Sequence, residues 1–413
     1  MNKSLGLLGI DAGIMLVGLL ILLIKQPAQD YTVLYWALGA IGASFGVQML
    51  LLKGGVAKDR WLLPMVMFFA SIGVVMLGRL KPVLCIPQLR WLIIGLVVLV
   101  AVLYLSGYLR ELLQYQYILG ILTLIVLCLS LLFGTEIGGS KNWLVLGPVQ
   151  VQPSEFGKIL LVLFLAAYLS DHKQVLCDSR RSFGPLKLPP LRFIAPLLCI
   201  WGMAILMFVV QRDLGSALLF FCMAVFMTYM ATGSKSYVFI ALGFFLLGAF
   251  LSYQLFGHVR VRFDIWLNPW ADPTGQAYQV VQSLFAFAAG GIWGTGLGHG
   301  HPNLIPEVHT DFIFSAIGEE LGLVGCTAIM LAYTLFFYRG IRIALACERE
   351  LYMLIAAGFA ISFYLQAFII MAGVTKFLPL TGITLPFISY GGSSMVSGFI
   401  MLGLLMAMAK KEE

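Results

Sequence analysis

LGLLGIDAGIMLVGLLILLI, Leu5 to Ile24, is twenty residues long and carries a single charge, Asp11. A helix of about 20 apolar residues is what a hydrocarbon core about 30 Å thick requires. Lys3 before an apolar run also fits the start of a secretory signal peptide. No A-x-A pattern precedes KQPAQD, however, and Asp11 interrupts the first half, so a retained first span is expected. Runs of the same kind recur at about 32–52, 61–79, 91–109, 116–133, 155–170, 193–210, 214–232, 236–256, 311–338, 351–374 and 383–408. Over the 413 residues, 61% are hydrophobic and 11% charged. A soluble domain has about 25% charged residues. The expected fold is all-α: a polytopic membrane bundle of about twelve helices.

Loop charges orient these spans. With the N-terminus inside, sixteen of the 26 basic residues fall on inner segments, among them Lys3, Lys53, Lys58, Arg60, Lys173, Arg180, Arg339, Arg342, Lys410 and Lys411. Both termini are therefore expected inside. Arg79, Lys81, Arg90, Lys141, Lys158, Arg212, Arg260, Arg262 and Lys376 lie at or near the outer side. There they either pair with lipid phosphates or hold an anionic substrate. The seven cysteines fall mostly inside apolar runs without paired spacing, which argues against a disulfide framework or a zinc site. A net charge of +7 without a basic run interleaved with aromatics excludes nucleic acid as the natural partner.

Two polar stretches stand out on the outer side. One is GTEIGGSKNWLVLGPVQVQPS, 134–154, expected to be irregular. The other runs from 257 to 310 and contains WLNPWADPTGQAYQ, Trp266 to Gln279. Within it, Tyr278 to Ala289 reads as a helix too short to span, re-entrant or interfacial. Irregular backbone at membrane depth survives only when packed on protein or facing a wet cavity.

The residues able to carry chemistry follow from these stretches. In DPTG, Asp272, Pro273 and Gly275 match a type I turn, so Asp272 either only closes the turn or supplies a carboxylate. Trp266, Trp270 and Tyr278 flank it as sugar-stacking or interface groups. Arg260 and Arg262 lie upstream to hold an anion, with Asp264 between them as an ion-pair partner. In QPSEFGK, Ser154 and Glu155 suit a helix start, and Lys158 follows on the same face, within reach of Glu155 and a turn deeper. In QRDLGS, Asp213 can cap the next helix. Gly294, Gly296, Gly298 and Gly300 mimic a nucleotide loop but follow no strand, and that reading is rejected. His258, His299, His301 and His309 crowd the same segment without helical ligand spacing. Glu319 and Glu320 suggest an interior polar contact. FLPLTGITLPFISYGGSS breaks an apolar run with prolines and glycines, as helices lining a cavity do.

At NWLVLGPVQVQPSEFGK, QRDLG, NPWADPTGQAYQ, PEVHTDFIFSAIGEELG and TGITLPFISYGGSS the chain strongly resembles the SEDS family (shape, elongation, division and sporulation; RodA/FtsW/SpoVE-like). The resemblance covers about 61–408. It implies a peptidoglycan glycosyltransferase of the bacterial cytoplasmic (inner) membrane that polymerises lipid II beside a class B penicillin-binding protein, a transpeptidase. It implies an essential Asp272 and a cavity group of Glu155, Lys158 and Asp213. Such proteins usually have about ten spans, so residues 1–55 read as an added pair and 56–413 as the core. Where the family commonly has an arginine before the tryptophan, this chain has Lys141-Asn142-Trp143. On this reading lipid II has an anionic pyrophosphate leaving group, which needs cations and no protonating acid. One carboxylate then suffices to take a proton from the attacking 4-hydroxyl, with inversion. Asp272 would be that base. Lys141, Lys158, Arg260, Arg262 and Lys376 are candidate substrate contacts. No tightly bound cofactor is expected, only a divalent cation, Mg or Mn, with the pyrophosphate. The rival readings are a lipid II flippase or transporter, which intramembrane charges and a broken span also fit, and a non-catalytic scaffold for the transpeptidase.

Overall fold

The computed structural model describes residues 3–25, 31–54, 59–137, 140–147, 149–177, 181–183, 186–188 and 191–409. Lys58, Arg180, Lys410 and Lys411, counted above as inner charges, lie outside them, as does the QPAQD segment weighed as a cleavage region. In chain order the helices and strands are α1 (Lys3–Lys25), α2 (Thr32–Gly54), α3 (Leu62–Leu80), α4 (Cys85–Leu105), α5 (Leu109–Leu113), α6 (Gln116–Phe133), β1 (Thr135–Ile137), β2 (Ser140–Leu146), β3 (Val149–Val151) and α7 (Pro153–Cys177). There follow β4 (Arg181–Phe183), β5 (Leu186–Leu188), α8 (Leu191–Val210), α9 (Leu214–Thr232), α10 (Lys235–Leu255), α11 (Gly257–Leu267), α12 (Tyr278–Gly290), α13 (Ile313–Leu345), α14 (Glu350–Val374) and α15 (Gly392–Met408). Ten helical stretches are long and apolar enough to cross a membrane, and Ala195–Val210 and Gly392–Met408 are shorter apolar helices. Each of the twelve expected spans has its helix, and the protein is a multi-pass α-helical membrane protein.

The chain divides into two compact units. The first comprises residues 1–106, 265–339 and 366–413. Here α1 packs on α3, α2 on α4, and α4 on α15. The packing follows from sequence spacing. Leu8, Met15, Leu19 and Leu22 recur at helical intervals and are buried, whereas Ile10, Val17, Leu20 and Ile24 on the other side are exposed, as lipid-facing side chains must be. At its end, α3 delivers Arg79, whose Nε donates to Glu320 Oε1 at 2.9 Å and whose second guanidinium nitrogen donates to the Gly300 carbonyl at 2.9 Å. Gly298 N donates to the other Glu320 oxygen at 3.1 Å, and His301 N donates to Glu319 Oε1 at 2.5 Å. Three of the four glycines that mimic a nucleotide loop, Gly294, Gly296 and Gly298, are thereby explained. Gly291, Gly294, Gly296 and Gly298 have φ between 53° and 93°, which lets the loop fold back onto the two acids, and Gly322 (φ 67°) kinks α13 there. Glu319 and Glu320 do make the expected interior polar contacts. Because Arg79 and Glu320 are both buried, Arg79→Met should leave an unmatched carboxylate and destabilise the detergent-solubilised protein by about 3–5 kcal/mol, read as a lower unfolding midpoint.

The last expected span begins later than its hydropathy indicates. Residues 383–391 are not helical, because Pro386 has no amide to donate and Gly391 and Gly392 favour no helix. Their polar groups are met by protein. Gln366 Nε2 donates to the Thr384 carbonyl (2.9 Å), Tyr333 Oη to the Pro386 carbonyl (2.5 Å), Gln88 Nε2 to the Ser389 carbonyl (3.2 Å), and Ser389 Oγ to the Thr310 carbonyl (2.6 Å). Of the two ways for irregular backbone to persist at this depth, this segment uses packing on protein.

The second unit comprises residues 107–264 and 340–365. Helix α7 packs against α6 and α9, and α8 and α10 also contact α9. Within 134–154, expected to be irregular, the described residues hold three strands. They form a three-stranded antiparallel sheet in the order β1-β2-β3, with Leu144 opposite Val151 and Leu146 opposite Val149. The overlooked signal was the pair of short apolar runs LVL and VQV, with three valines, on either side of the Gly-Pro punctuation in the sequence. The 257–310 stretch likewise holds one more helix than expected: α11, whose polar sequence hid it, carries an i, i+4 pair between Arg260 Nε and Asp264 Oδ2 at 3.9 Å.

Candidate active site

In the first unit, the segment joining α11 to α12 presents Asp272. Asn268 opens a short turn of helix, Pro269–Ala271, by accepting from Trp270 N at 3.3 Å. Asp272 follows at φ −142°, ψ 67°. Its Oδ2 accepts from Gln276 N at 2.9 Å and its carbonyl accepts from Ala277 N at 3.3 Å. The carboxylate therefore folds back over the turn leading into α12. This is a wider closure than the expected four-residue turn, and it leaves the exposed Oδ1 without a protein hydrogen bond among the described residues. Gly275 makes room for it, since a Cβ there would lie 2.7 Å from Asp272 Cγ.

The surroundings of this turn are fixed. Pro269, Ala277, Val280 and Val281 are buried beneath it. Ser283 Oγ on α12 donates to the Val374 carbonyl at 2.8 Å and lies 2.7 Å from Ser315 Oγ, tying α12 to α13 and α14. Trp266 Nε1 donates to the Lys376 carbonyl at 3.3 Å, which brings the Lys376 backbone to the base of the segment. Trp270 is 53% exposed and its ring lies 5.9 Å from that of Phe285. An acid on a rigid turn beside an exposed indole suits recognition of a sugar face.

In the second unit, Glu155 and Lys158 form the expected pair, Oε2 to Nζ 2.6 Å, with both side chains buried at the start of α7. Each has further contacts. Asp213 caps α9: Oδ1 accepts from Ser216 N at 3.0 Å, and Oδ2 accepts from Ser216 Oγ at 2.8 Å and from Asn142 Nδ2 at 2.9 Å. Since β3 leads into α7 and β2 reaches Asp213, the two helices open at the same end of this unit. Asn142 is the residue that sequence reasoning missed. Attention fell on Lys141, but successive residues of a strand face opposite ways. Lys141 is exposed, and Asn142 is buried. Arg260 is exposed and lies over the Tyr253 ring, and Asp264 Oδ1 accepts from Tyr253 Oη at 3.2 Å. Arg262 has partners within the protein as well. A hydrogen bond joins Asn142 to Asp213, and ion pairs join Lys158 to Glu155 and Arg260 to Asp264.

Comparison with known proteins places this arrangement. The family profile described as Cell cycle protein (FtsW/RodA/SpoVE) matches residues 55–413, beginning just after α2. The chain is 38% identical over 402 residues to the peptidoglycan glycosyltransferase RodA of Mycobacterium tuberculosis, covering 93% of this chain and 86% of that one. It is 36% identical over 297 residues to the stage V sporulation protein E of Bacillus subtilis, covering 70% and 78%. A chain in a solved structure described as the structural coordination of polymerization and crosslinking by a peptidoglycan synthase complex superposes with a TM-score of 0.67 at 30% identity, covering 85% of this chain and 97% of its own. The crystal structure of the Thermus thermophilus rod shape determining protein RodA gives a TM-score of 0.62 at 28% identity, covering 85% and 96%. The chain belongs to the FtsW/RodA/SpoVE family of cell cycle proteins, the SEDS family that its motifs resemble.

Proposed function

We propose that the protein is a peptidoglycan glycosyltransferase that polymerises lipid II at the outer face of the cytoplasmic membrane, with both termini inside, and that Asp272 is its general base. The observation that carries the base is the Asp272 carboxylate itself: one oxygen is fixed by the Gln276 amide and the other is open to a substrate hydroxyl. Family membership supports the reaction class, and the names of the relatives supply the polymer. Asp272 takes the proton of the attacking 4-hydroxyl as its oxygen bonds to the anomeric carbon. The bond to the undecaprenyl pyrophosphate breaks on the opposite side, giving inversion. The bond's electron pair goes to the leaving pyrophosphate, whose charge rises from two negative to three, so it needs positive charge and no proton donor. Arg260 and Arg262, on the helix preceding the turn, are assigned that work with Lys141 and Lys376. Lys158 is held against Glu155, so its charge is compensated in place. We assign that pair, with Asp213, to shaping the substrate cavity. The described residues form no group of three His, Cys, Asp or Glu that would hold a metal. A divalent cation enters this scheme only as counter-ion to the pyrophosphate, and no step passes through it.

The test is polymer synthesis from lipid II in detergent, where no membrane sides exist, with and without the cognate class B transpeptidase as partner. Glycan strands are expected. A protein that yields none under either condition is a transporter or a scaffold, and the proposal fails. Gly275→Ala gives a finer check. Its methyl group displaces the Asp272 carboxylate while leaving buried packing alone, because Gly275 is exposed. Polymerisation should fall about tenfold or more, since a misplacement of about 1 Å can cost 10²-fold, with the unfolding midpoint held within about 1 kcal/mol.

A further inference from the structure

From Pro273 to Pro306 the chain runs 34 residues without one Asp, Glu, Lys or Arg. A water-facing stretch of that length would carry about eight, since about 25% of the residues in a soluble domain are charged. The fold leaves apolar side chains of this segment uncovered. On α12, Phe285 is exposed, and Ala288 and Ala289 follow it at helical spacing on the same side. Beyond the helix, Ile292 is 60% and Trp293 81% exposed. Val281, Ala286 and Gly290 are buried on the other side, against the protein. A chargeless segment with a continuous exposed apolar ridge calls for an apolar partner.

Hydrogen bonds fix the depth of this ridge. Leu323 N donates to the Gly291 carbonyl at 2.9 Å, and Val324 N donates to the Ile292 carbonyl at 3.2 Å. Those two residues open the part of α13 that follows its kink at Gly322. From there Leu323, Val324, Leu331, Leu335 and Tyr338 are exposed at helical spacing, whereas Cys326, Ile329 and Tyr333 are buried. The exposed stripe is the side of this span that meets lipid. Arg339 comes sixteen residues after Leu323, about 24 Å along a helix axis, against a hydrocarbon core about 30 Å thick. With the Arg339 charge at one boundary of that core, Ile292 and Trp293 lie near the other. Indole rings concentrate at that level, where the ring meets acyl chains and its N–H meets headgroups. We propose that Phe285, Ile292 and Trp293 seat this segment in the phospholipid bilayer, at the boundary between acyl chains and headgroups, and so set the depth at which α12 holds the Asp272 turn. A partner's transmembrane helix has similar apolar chemistry. Continuity with the lipid-facing stripe of α13 and a tryptophan at the boundary favour lipid. The lipid contact stands whether or not the polymerase reading does, and only its use in setting the depth of Asp272 rests on that reading.

The test places the full-length protein in phosphatidylcholine vesicles and reads Trp293 emission as the difference between wild type and Trp293→Phe. Lipid brominated near the carbonyl end of its chains should remove most of that emission, and more of it than lipid brominated near the terminal methyl. Aqueous iodide should remove little. Quenching by iodide with none by either brominated lipid overturns the proposal. Lipid quenching that disappears when the class B transpeptidase is added also overturns it, because the ridge is then covered by protein. Should Trp293→Phe fail to fold, a phosphatidylcholine with a photoreactive group near the carbonyl end decides on the wild type. Crosslinks at 285–293 support the seat, and crosslinks confined elsewhere sink it. The depth-setting role has its own readout. Ile292→Ser with Trp293→Ser should lower polymerisation in vesicles about tenfold, since a misplacement of about 1 Å can cost 10²-fold. In detergent, which adapts its surface to the protein, the same variant should match the wild type. An unchanged rate in vesicles removes that role. A wild type inactive in both settings sinks the polymerase reading instead and leaves the quenching result standing.

Discussion

Asp272→Asn should abolish polymer synthesis nearly as completely as Asp272→Ala, a loss of about 10²–10⁴-fold, the range over which a positioned base contributes. The asparagine variant is the informative one. Its side-chain oxygen can still accept from Gln276 N, so the turn closes as before. What it loses is basicity. If Asp272 were only a turn residue, asparagine would retain activity and alanine would cost about 1 kcal/mol of stability, the usual effect of deleting a capping acceptor. If Asp272 is the base, both variants are inactive and asparagine melts like the wild type. The measurement pairs the initial rate of lipid II polymerisation with the unfolding midpoint in the same detergent. An active asparagine variant would remove Asp272 from the chemistry.

The fold was legible because membrane crossing is written in length and apolarity, which hydropathy reads without tertiary knowledge. Where reading failed, the cause was local. The short apolar runs LVL and VQV on either side of Gly-Pro become the paired strands β2 and β3, but the polar segment around them masked the pattern. Helix α11 carries Arg260 and Asp264 on one side, and so charged a stretch invites a loop assignment. The candidate site was half legible. Glu155 with Lys158, and Asp213 as a cap, follow from helical spacing and end preferences, rules that act over four residues. Asn142 reaching Asp213 does not follow, because it joins positions 71 apart in sequence through the face a strand residue happens to present. The Arg79–Glu320 pairing, 241 residues apart, is of the same kind. Each acid was conspicuous in the sequence, but its partner was not.

The pair at the start of α7 gives the second large effect. Lys158→Met should leave the Glu155 carboxylate buried without its cation and lower stability by about 3–5 kcal/mol, because the desolvation already incurred is no longer offset. Glu155→Gln combined with Lys158→Met removes both charges from the same volume. That double variant should recover most of the loss, since replacing a buried pair by groups of similar size is often neutral. Stability alone would then rate the pair as dispensable, and so the double variant is the place to ask why it exists. A folded double variant with polymerisation reduced about tenfold or more assigns the charges to the substrate cavity. A folded double variant with full activity makes Glu155 and Lys158 a structural pair only, and removes them from the site while leaving Asp272 untouched. The proposed function gives a reason to keep such a pair: an acid and a base fixed 2.6 Å apart offset each other's charge. Such a cavity can orient a charged headgroup without trapping the product that must leave it.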